Sequence, residues 1–240
     1  MKIRIAHLYS KYLNLYGDKG NVIALINRCQ WRGIEVEFSE IDKGDKISKQ
    51  DLYFIGGGQD KQQEEIAKEL YSHKPFLLDE RDSGAVFLGI CGGYQLFGHY
   101  YQPHDKDRLK GLSLVDAYTI AGNKRYIGNV TVKTNFLNPS TLVGFENHSG
   151  LTYIEGDTEP LGLVQVGNGN NDRDDSEGCR YKNVFGTYLH GSLLPKNPHF
   201  ADYLITLALK HHYPSENIVL PNLNDDLELQ AHNSVVGKKY

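Results

Sequence analysis

The stretch Ala85-Val86-Phe87-Leu88-Gly89-Ile90, followed without a spacer by Cys91-Gly92-Gly93, constrains this chain more than any other. A near-continuous apolar run of that length reads as a strand covered on both faces, the pattern of a buried parallel sheet. Tyr94 to Tyr100 then reads as a helix. The chain must therefore turn sharply from strand to helix at Cys91, with small residues on either side. Gly-x-Cys-x-Gly between an apolar strand and a helix is the setting of a nucleophile elbow, in which a tight turn holds the nucleophile up at the strand's carboxyl end.

The elements before it suit a parallel sheet. Lys2 to Leu8 alternates as a short strand. A turn-rich stretch with Asn14, Tyr16, Gly17, Asp18 and Gly20 leads into a helix from Asn21 to Trp31, which places Val22, Leu25, Ile26 and Cys29 on one face, with Gly33 as its stop. Ile34 to Phe38 alternates again, and Leu52 to Ile55 is a short apolar strand ended by Gly56-Gly57-Gly58. A helix follows to about His73, with Asp60 as its cap. Strands alternating with helices predict an α/β fold with a mainly parallel sheet. The second half is richer in strands: Tyr126–Lys133, Leu142–Phe145, Leu163–Val166 and Asn183–Thr187. Helices are expected over His199–His211 and Asp225–His232. With no linker or repeat, residues 1–240 read as one domain with an antiparallel extension, residues 213–240 forming a C-terminal extension. Its last 20 residues are polar, suited to covering a partner interface or to fraying.

Composition narrows the class. The chain has 240 residues, 26 Lys plus Arg against 30 Asp plus Glu, and a formal charge of −4. That balance argues against a general nucleic-acid binder. The apolar runs are far short of the ~20 residues that cross a bilayer, and the N-terminus lacks the apolar core of a signal peptide. The three cysteines, Cys29, Cys91 and Cys179, contain no Cys-x-x-Cys pair. Neither a disulfide framework nor a cysteine-rich zinc site is expected, and the cytoplasm is the expected home.

Cys29 lies on an apolar helix face and reads as core; Cys179 sits in a charged loop and is given no role. That leaves Cys91 as the candidate nucleophile, the alternative being a buried cysteine at a glycine-rich turn, and a thiolate is favoured by free backbone N–H groups at the start of the following helix. A base is needed. His190 ends the strand-like segment Val184 to Leu189, and in open α/β sheets ligands collect at the carboxyl ends of strands. His148 is a lesser candidate; His211 and His212 read as surface groups at a helix end. Gly56 to Gly58 can offer a backbone N–H to an oxyanion, cradle a phosphate, or simply turn the chain. The acidic loop Asn168 to Glu177, with Asp172, Asp174 and Asp175, lacks the Gly and Glu positions of a calcium loop and reads as solvated.

Gly89-Ile90-Cys91-Gly92-Gly93-Tyr94-Gln95-Leu96 resembles the cysteine elbow of class I glutamine amidotransferases, and Gly186-Thr187-Tyr188-Leu189-His190-Gly191 resembles the histidine segment of their cobyric-acid-synthase-like branch. Leu13 to Asn21, Val143 to His148 and Gly169 to Asp172 are similar to segments of the glutaminase subunits of lipid II isoglutaminyl synthases. The matches run from the first strand to about His212. The resemblance implies a flavodoxin-like fold and glutamine hydrolysis through a Cys91 thioester, with His190 shuttling protons and the Gly58 and Gly92 N–H groups holding the oxyanion. It also implies substrate binding by Gln95, Gly57, Arg125 and Asn147, Arg125 gripping the α-carboxylate with its fork. Many class I enzymes carry Glu two residues after the histidine; here that position is Ser192. The third member then comes from elsewhere or is absent; Asp18 is the choice, with Glu146 as fallback. No cofactor is expected in this chain. The resemblance places ATP and Mg on a MurT-like Mur ligase partner, which uses the ammonia to amidate the D-Glu α-carboxylate of the lipid II stem peptide. Two other readings fit parts of the pattern: a stand-alone cysteine hydrolase of the DJ-1/PfpI type, and a nucleotide-binding module built on Gly56 to Gly58.

Overall fold

The computed structural model describes residues 1–171 and 173–238. In chain order the first half comprises β1 (Lys2–Leu8), α1 (Lys19–Gln30), β2 (Glu35–Ile41), β3 (Leu52–Ile55), α2 (Asp60–Ser72), α3 (Lys74–Ser83), β4 (Val86–Ile90), α4 (Gly92–Phe97), β5 (Tyr100–Gln102) and β6 (Leu109–Lys110). The second half comprises β7 (Ala117–Lys133), β8 (Thr141–Ile154), β9 (Gly162–Val166), β10 (Ser176–Glu177), β11 (Cys179–Tyr181), β12 (Val184–Thr187), α5 (Leu193–Lys196), α6 (Pro198–His212) and α7 (Asp226–Val235).

The first sheet has the order β11-β12-β4-β3-β1-β2. Its five strands from β12 to β2 are parallel, and only β11 runs antiparallel, against β12. This is the 2-1-3-4-5 order of flavodoxin-like sheets, with β12 as the fifth strand and the order reversing between β1 and β3. Every residue of β3, β4 and β12 is buried, whereas the edge strand β2 exposes part of its length. Successive side chains then serve opposite faces. Leu52, Phe54, Val86, Leu88 and Ile90 pack with Val22, Leu25 and Cys29 of α1 and with α6. Tyr53, Ile55 and Phe87 pack with Ile66 and Leu70 of α2, Leu77 of α3 and Phe97 of α4. The continuous apolar run around Val86 thus supplies two core layers at once, each fully buried aliphatic side chain contributing about 1.5–3 kcal/mol.

The second sheet has the order β10-β9-β7-β5-β6, with β8 paired along β7. The β7/β8 hairpin is much longer than the predicted Tyr126–Lys133 and Leu142–Phe145. Its register shifts between Ala121 and Tyr126, where Gly122 to Arg125 of β7 oppose Ser149 of β8. Polar residues there and at Glu146 to Gly150 interrupt the apolar alternation from which strands are read, although the backbone pairing continues beyond them.

Other expectations need correcting. The elbow helix stops at Phe97 and Tyr100 already belongs to a strand. A helix over Lys74–Ser83, ending at left-handed Gly84, was not expected. Asp60 lies in the first turn of α2 rather than capping it, and its carboxylate takes a hydrogen bond from the Tyr101 hydroxyl at 3.1 Å. Part of the segment after residue 220 is helical, as α7, and is tied to the body of the fold. Asp225 pairs with Arg28 at 2.6 Å, and His232 of α7 is buried between Thr141 and Lys196. His212 is not a free surface group: its Nδ1 lies 2.9 Å from the buried Asp51 carboxylate. Among the described residues, no helix is long and apolar enough to cross a membrane.

Candidate active site

β4 delivers Cys91 to the carboxyl edge of the parallel sheet. Its backbone has φ 48° and ψ −102°, a region that non-glycine residues rarely occupy. The Cys91 N–H is bound to the Thr187 carbonyl at the end of β12 (2.8 Å), and its carbonyl accepts the Gln95 N–H (2.9 Å). The strained residue is therefore tied to both the neighbouring strand and the helix it opens, as an elbow requires.

Three other connections meet it at the same edge. The loop after β1 brings Asp18, the glycines after β3 bring Gly57 and Gly58, and the segment after β12 brings His190. Asp18 and His190 are both buried. Asp18 Oδ1 lies 3.5 Å from His190 Nδ1, while Oδ2 accepts the Gly57 N–H at 2.6 Å. Gly57 is the hub. A methyl group placed on its α-carbon would stand 2.8 Å from His190 Cε1, 3.1 Å from Asp18 Oδ2 and 3.5 Å from Cys91 Cβ. Burial is the largest single influence on the His190 ring and acts downward. The charge of Cys91, followed by the Asp18 carboxylate, outweighs it and holds the ring's pKa up at about 10. The arrangement thus favours an imidazolium beside the sulfur.

Gly58 and Gly92 also meet: a methyl on Gly92 would lie 3.0 Å from the Gly58 nitrogen. Two backbone N–H groups on converging turns can receive a developing oxyanion. Next to them lies Gln63, buried on α2, which the sequence reading did not single out. Its Nε2 donates to the Gly58 carbonyl (3.3 Å) and to Gln95 Oε1 (3.0 Å), and Gln95 Nε2 in turn donates to the Tyr188 hydroxyl (3.2 Å). Tyr188 continues the network to Thr152 at 2.6 Å.

A cleft of about 350 Å³ opens over Cys91, with Gly58, Gln95, Arg125, Asn147 and His148 in its walls. The register irregularity of the β7/β8 hairpin carries Arg125 to this wall, a usual role for a bulge beside a site. Arg125 Nε donates to Asn147 Oδ1 at 2.7 Å, so the two expected substrate contacts form one unit. His148 is neutral. Burial above all pushes its pKa down to about 4, its Nδ1–H donates to the Gly150 carbonyl (2.9 Å), and its ring stacks on Tyr188 at 3.6 Å.

The remaining candidates fall elsewhere. The Glu146 carboxylate accepts hydrogen bonds from Asn168 and Gly169 and lies 3.9 Å from His148, whereas Asp18 is the carboxylate placed beside His190 Nδ1. Ser192 Oγ donates to the Gly17 carbonyl at 2.8 Å, pinning the loop that carries Asp18. Cys29 is core, as expected. Cys179 is not in a loop: it lies buried on β11, and burial pushes its thiol up to about 12. The Asn168–Glu177 segment is solvated, as expected, over Arg173 to Asp175, but its flanks are buried. Asn170 is buried, bonded to Tyr94, Ser176 and Gly178, and Glu177 is buried beneath Thr187 and Tyr188, its carboxyl pushed up to about 7 by burial. Asp172 lies outside the described residues. No group of three or more His, Cys, Asp or Glu suited to a metal ion occurs among the described residues.

Residues 4–198 match the model of the CobB/CobQ-like glutamine amidotransferase domain. The chain is 40% identical to a protein named lipid II isoglutaminyl synthase (glutamine-hydrolyzing) subunit GatD from Staphylococcus aureus, over 99% of this chain and 96% of that one. It is 39% identical to the GatD subunit of Streptococcus pneumoniae, over 94% and 87% respectively. A solved glutamine amidotransferase from Thermotoga maritima superposes with a TM-score of 0.56, at 16% identity, over 98% of this chain and 94% of that one. That last likeness concerns the fold, which is the mainly parallel, flavodoxin-like one expected. The sequence likeness leaves neither the stand-alone hydrolase nor the nucleotide-binding module as a reading. With a cysteine on a strained elbow, an imidazole and a carboxylate behind it, and relatives aligned from end to end, the chain belongs to the CobB/CobQ-like glutamine amidotransferase family, on the branch of the GatD subunits.

Proposed function

We propose that this chain is the glutaminase subunit of a lipid II isoglutaminyl synthase, hydrolysing L-glutamine through a Cys91 thioester. What carries the reading is the meeting of Cys91, His190 and Asp18 around Gly57 at the base of a cleft that also holds Gln95 and Arg125.

The guanidinium fork of Arg125, steadied by Asn147, holds the α-carboxylate of glutamine and so aims the side-chain amide at Cys91. The Cys91 sulfur adds to the amide carbon, and the oxygen gains its charge beside the Gly58 and Gly92 N–H groups. His190 gives its Nε2 proton to the departing nitrogen, and ammonia leaves the thioester. His190 then takes a proton from water as that water attacks; the C–S bond breaks, glutamate is released, and the sulfur leaves as a thiolate beside the imidazolium that began the cycle. Asp18 keeps the ring's Nδ1 side protonated and the ring oriented, the role of the third group in such triads. The ammonia passes to a MurT-like Mur ligase partner, on which ATP and Mg drive amidation of the D-Glu α-carboxylate of the lipid II stem peptide.

The test is glutamate release from glutamine by the purified chain, with and without that partner, comparing wild type with Cys91→Ala. Release that vanishes in the variant supports the reading; absence of release from wild type under both conditions overturns it.

A further inference from the structure

We infer that Gln63 is a positioning residue for the oxyanion site, holding the Gly58 peptide and Gln95 in one rigid unit. The inference rests on the reading of Gly58 and Gly92 as the oxyanion donors.

Gln63 is 2% exposed, although it sits on the wall of a solvent-open cleft. A buried amide is costly unless it is bonded, so its partners reveal what it is for. Its Nε2 serves two acceptors, the Gly58 carbonyl at 3.3 Å and Gln95 Oε1 at 3.0 Å. The Gly58 carbonyl can only accept, which fixes the amide with its nitrogen on that side. The cost of this orientation is visible: Gln63 Oε1 is buried and has no hydrogen-bond partner among the described residues.

Those donors act where the reaction needs rigidity. Gly58 lies in a triple-glycine run, whose backbone is intrinsically permissive, yet its N–H must point at one place. Bonding its carbonyl from α2 limits rotation about the Gly58 peptide. The other face of the same amide lies against the second donor: a methyl on Gly92 would stand 3.0 Å from Gln63 Nε2. Through Gln95, which lies one turn beyond Cys91 and continues to Tyr188, the unit also reaches the segment that ends in His190. Gln63 touches both sides of the oxyanion site without itself donating to the oxygen. Loss of its donors loosens Gly58 and removes one of the bonds on Gln95, while the Arg125–Asn147 unit that grips the α-carboxylate keeps its own hydrogen bond.

Gln63→Met tests this, since methionine keeps the volume and apolar stem and removes both donors. Three quantities are read: kcat and KM for glutamine, the melting temperature, and inhibition by glutamate γ-semialdehyde. The Cys91 thiol adds to that aldehyde to give a thiohemiacetal, its proton passing by way of His190, and the adduct places an oxygen in the oxyanion site. The expected result is a kcat lower by about tenfold or more, as for a donor displaced by a fraction of an ångström, with KM changed less than twofold. Aldehyde inhibition should weaken in parallel with kcat. Glutamine binding measured in the Cys91→Ala background should not change when Gln63→Met is added. A variant with wild-type kcat and aldehyde inhibition overturns the inference. So does one whose losses simply follow a lower melting temperature and are recovered on cooling, because that is a packing role. An inactive wild type overturns the glutaminase reading itself, and is distinguished by the Cys91→Ala comparison.

Discussion

Gly57→Ala is the substitution that asks most of this site. The backbone at Gly57 is not left-handed, so alanine meets no conformational objection there and its whole effect is the added methyl. That methyl falls 2.8 Å from His190 Cε1, where ordinary contacts begin at about 3.4 Å, and 3.1 Å from Asp18 Oδ2. Both neighbours are buried and cannot swing into solvent. The imidazole must therefore retreat by roughly half an ångström. A misplacement of 1 Å can cost about 10²-fold in rate, so a loss of about tenfold to a hundredfold in kcat is expected, or about 1.4–2.8 kcal/mol. KM should change little, because Arg125 and Asn147 line the cleft and Gly57 does not. Overpacking should also lower stability by about 1–3 kcal/mol. A coupled assay for glutamate gives kcat and KM, and urea unfolding gives stability. A variant that folds and turns over within twofold of wild type would refute the reasoning, since His190 would then have room that the geometry denies it.

Two further outcomes follow from the charges. His190 has a folded pKa of about 10 against an ordinary value of 6.5, so it stabilises the fold fully below about pH 6.5 and loses that contribution as pH rises toward 10. Cys91→Ala removes the largest upward influence, so the ring should titrate at lower pH and the alkaline end of this window should contract; proton NMR of the ring across pH checks it, and an unmoved titration contradicts it. Arg28 is 3% exposed and bridges Asp202 and Asp225 at 2.7 and 2.6 Å, binding α7 to the fold. Arg28→Met should cost about 3 kcal/mol in urea unfolding, the aspartates being partly able to rehydrate, and should leave kcat unchanged below the transition, because Arg28 is near the end of α1 remote from Asp18; a stability loss below 1 kcal/mol contradicts it.

The readable parts of this chain are those where one physical demand sets the residue type. A strand buried on both faces must be apolar throughout, so Ala85 to Ile90 was legible as central. A sharp turn needs small residues, so Cys91 between glycines was legible as an elbow. The β7/β8 hairpin was legible only in part, because Arg125, Asn147 and His148 serve the cleft and break the alternation while the backbone pairing continues. Cys179 and Glu177 were misplaced for a related reason: their neighbours are charged, and their burial comes from strands distant in sequence. Gln63 gave no local signal at all. A glutamine on an amphipathic helix reads as a solvated side chain until Gly58 and Gln95 are brought to it.

By itself, then, the sequence determines the class of sheet, the position of the nucleophile and, through its resemblance, the family. Local sterics and hydrophobic pattern carry that information along the chain. Tertiary structure decides which groups meet. Asp18 stands 72 residues before the cysteine's near neighbour Ile90 and His190 stands 99 after Cys91, yet the parallel strand order sets all three connections at one edge. It also raises the pKa of His190, because that ring's burial and its nearness to Cys91 and Asp18 are properties of the assembled sheet, which no local stretch of sequence contains.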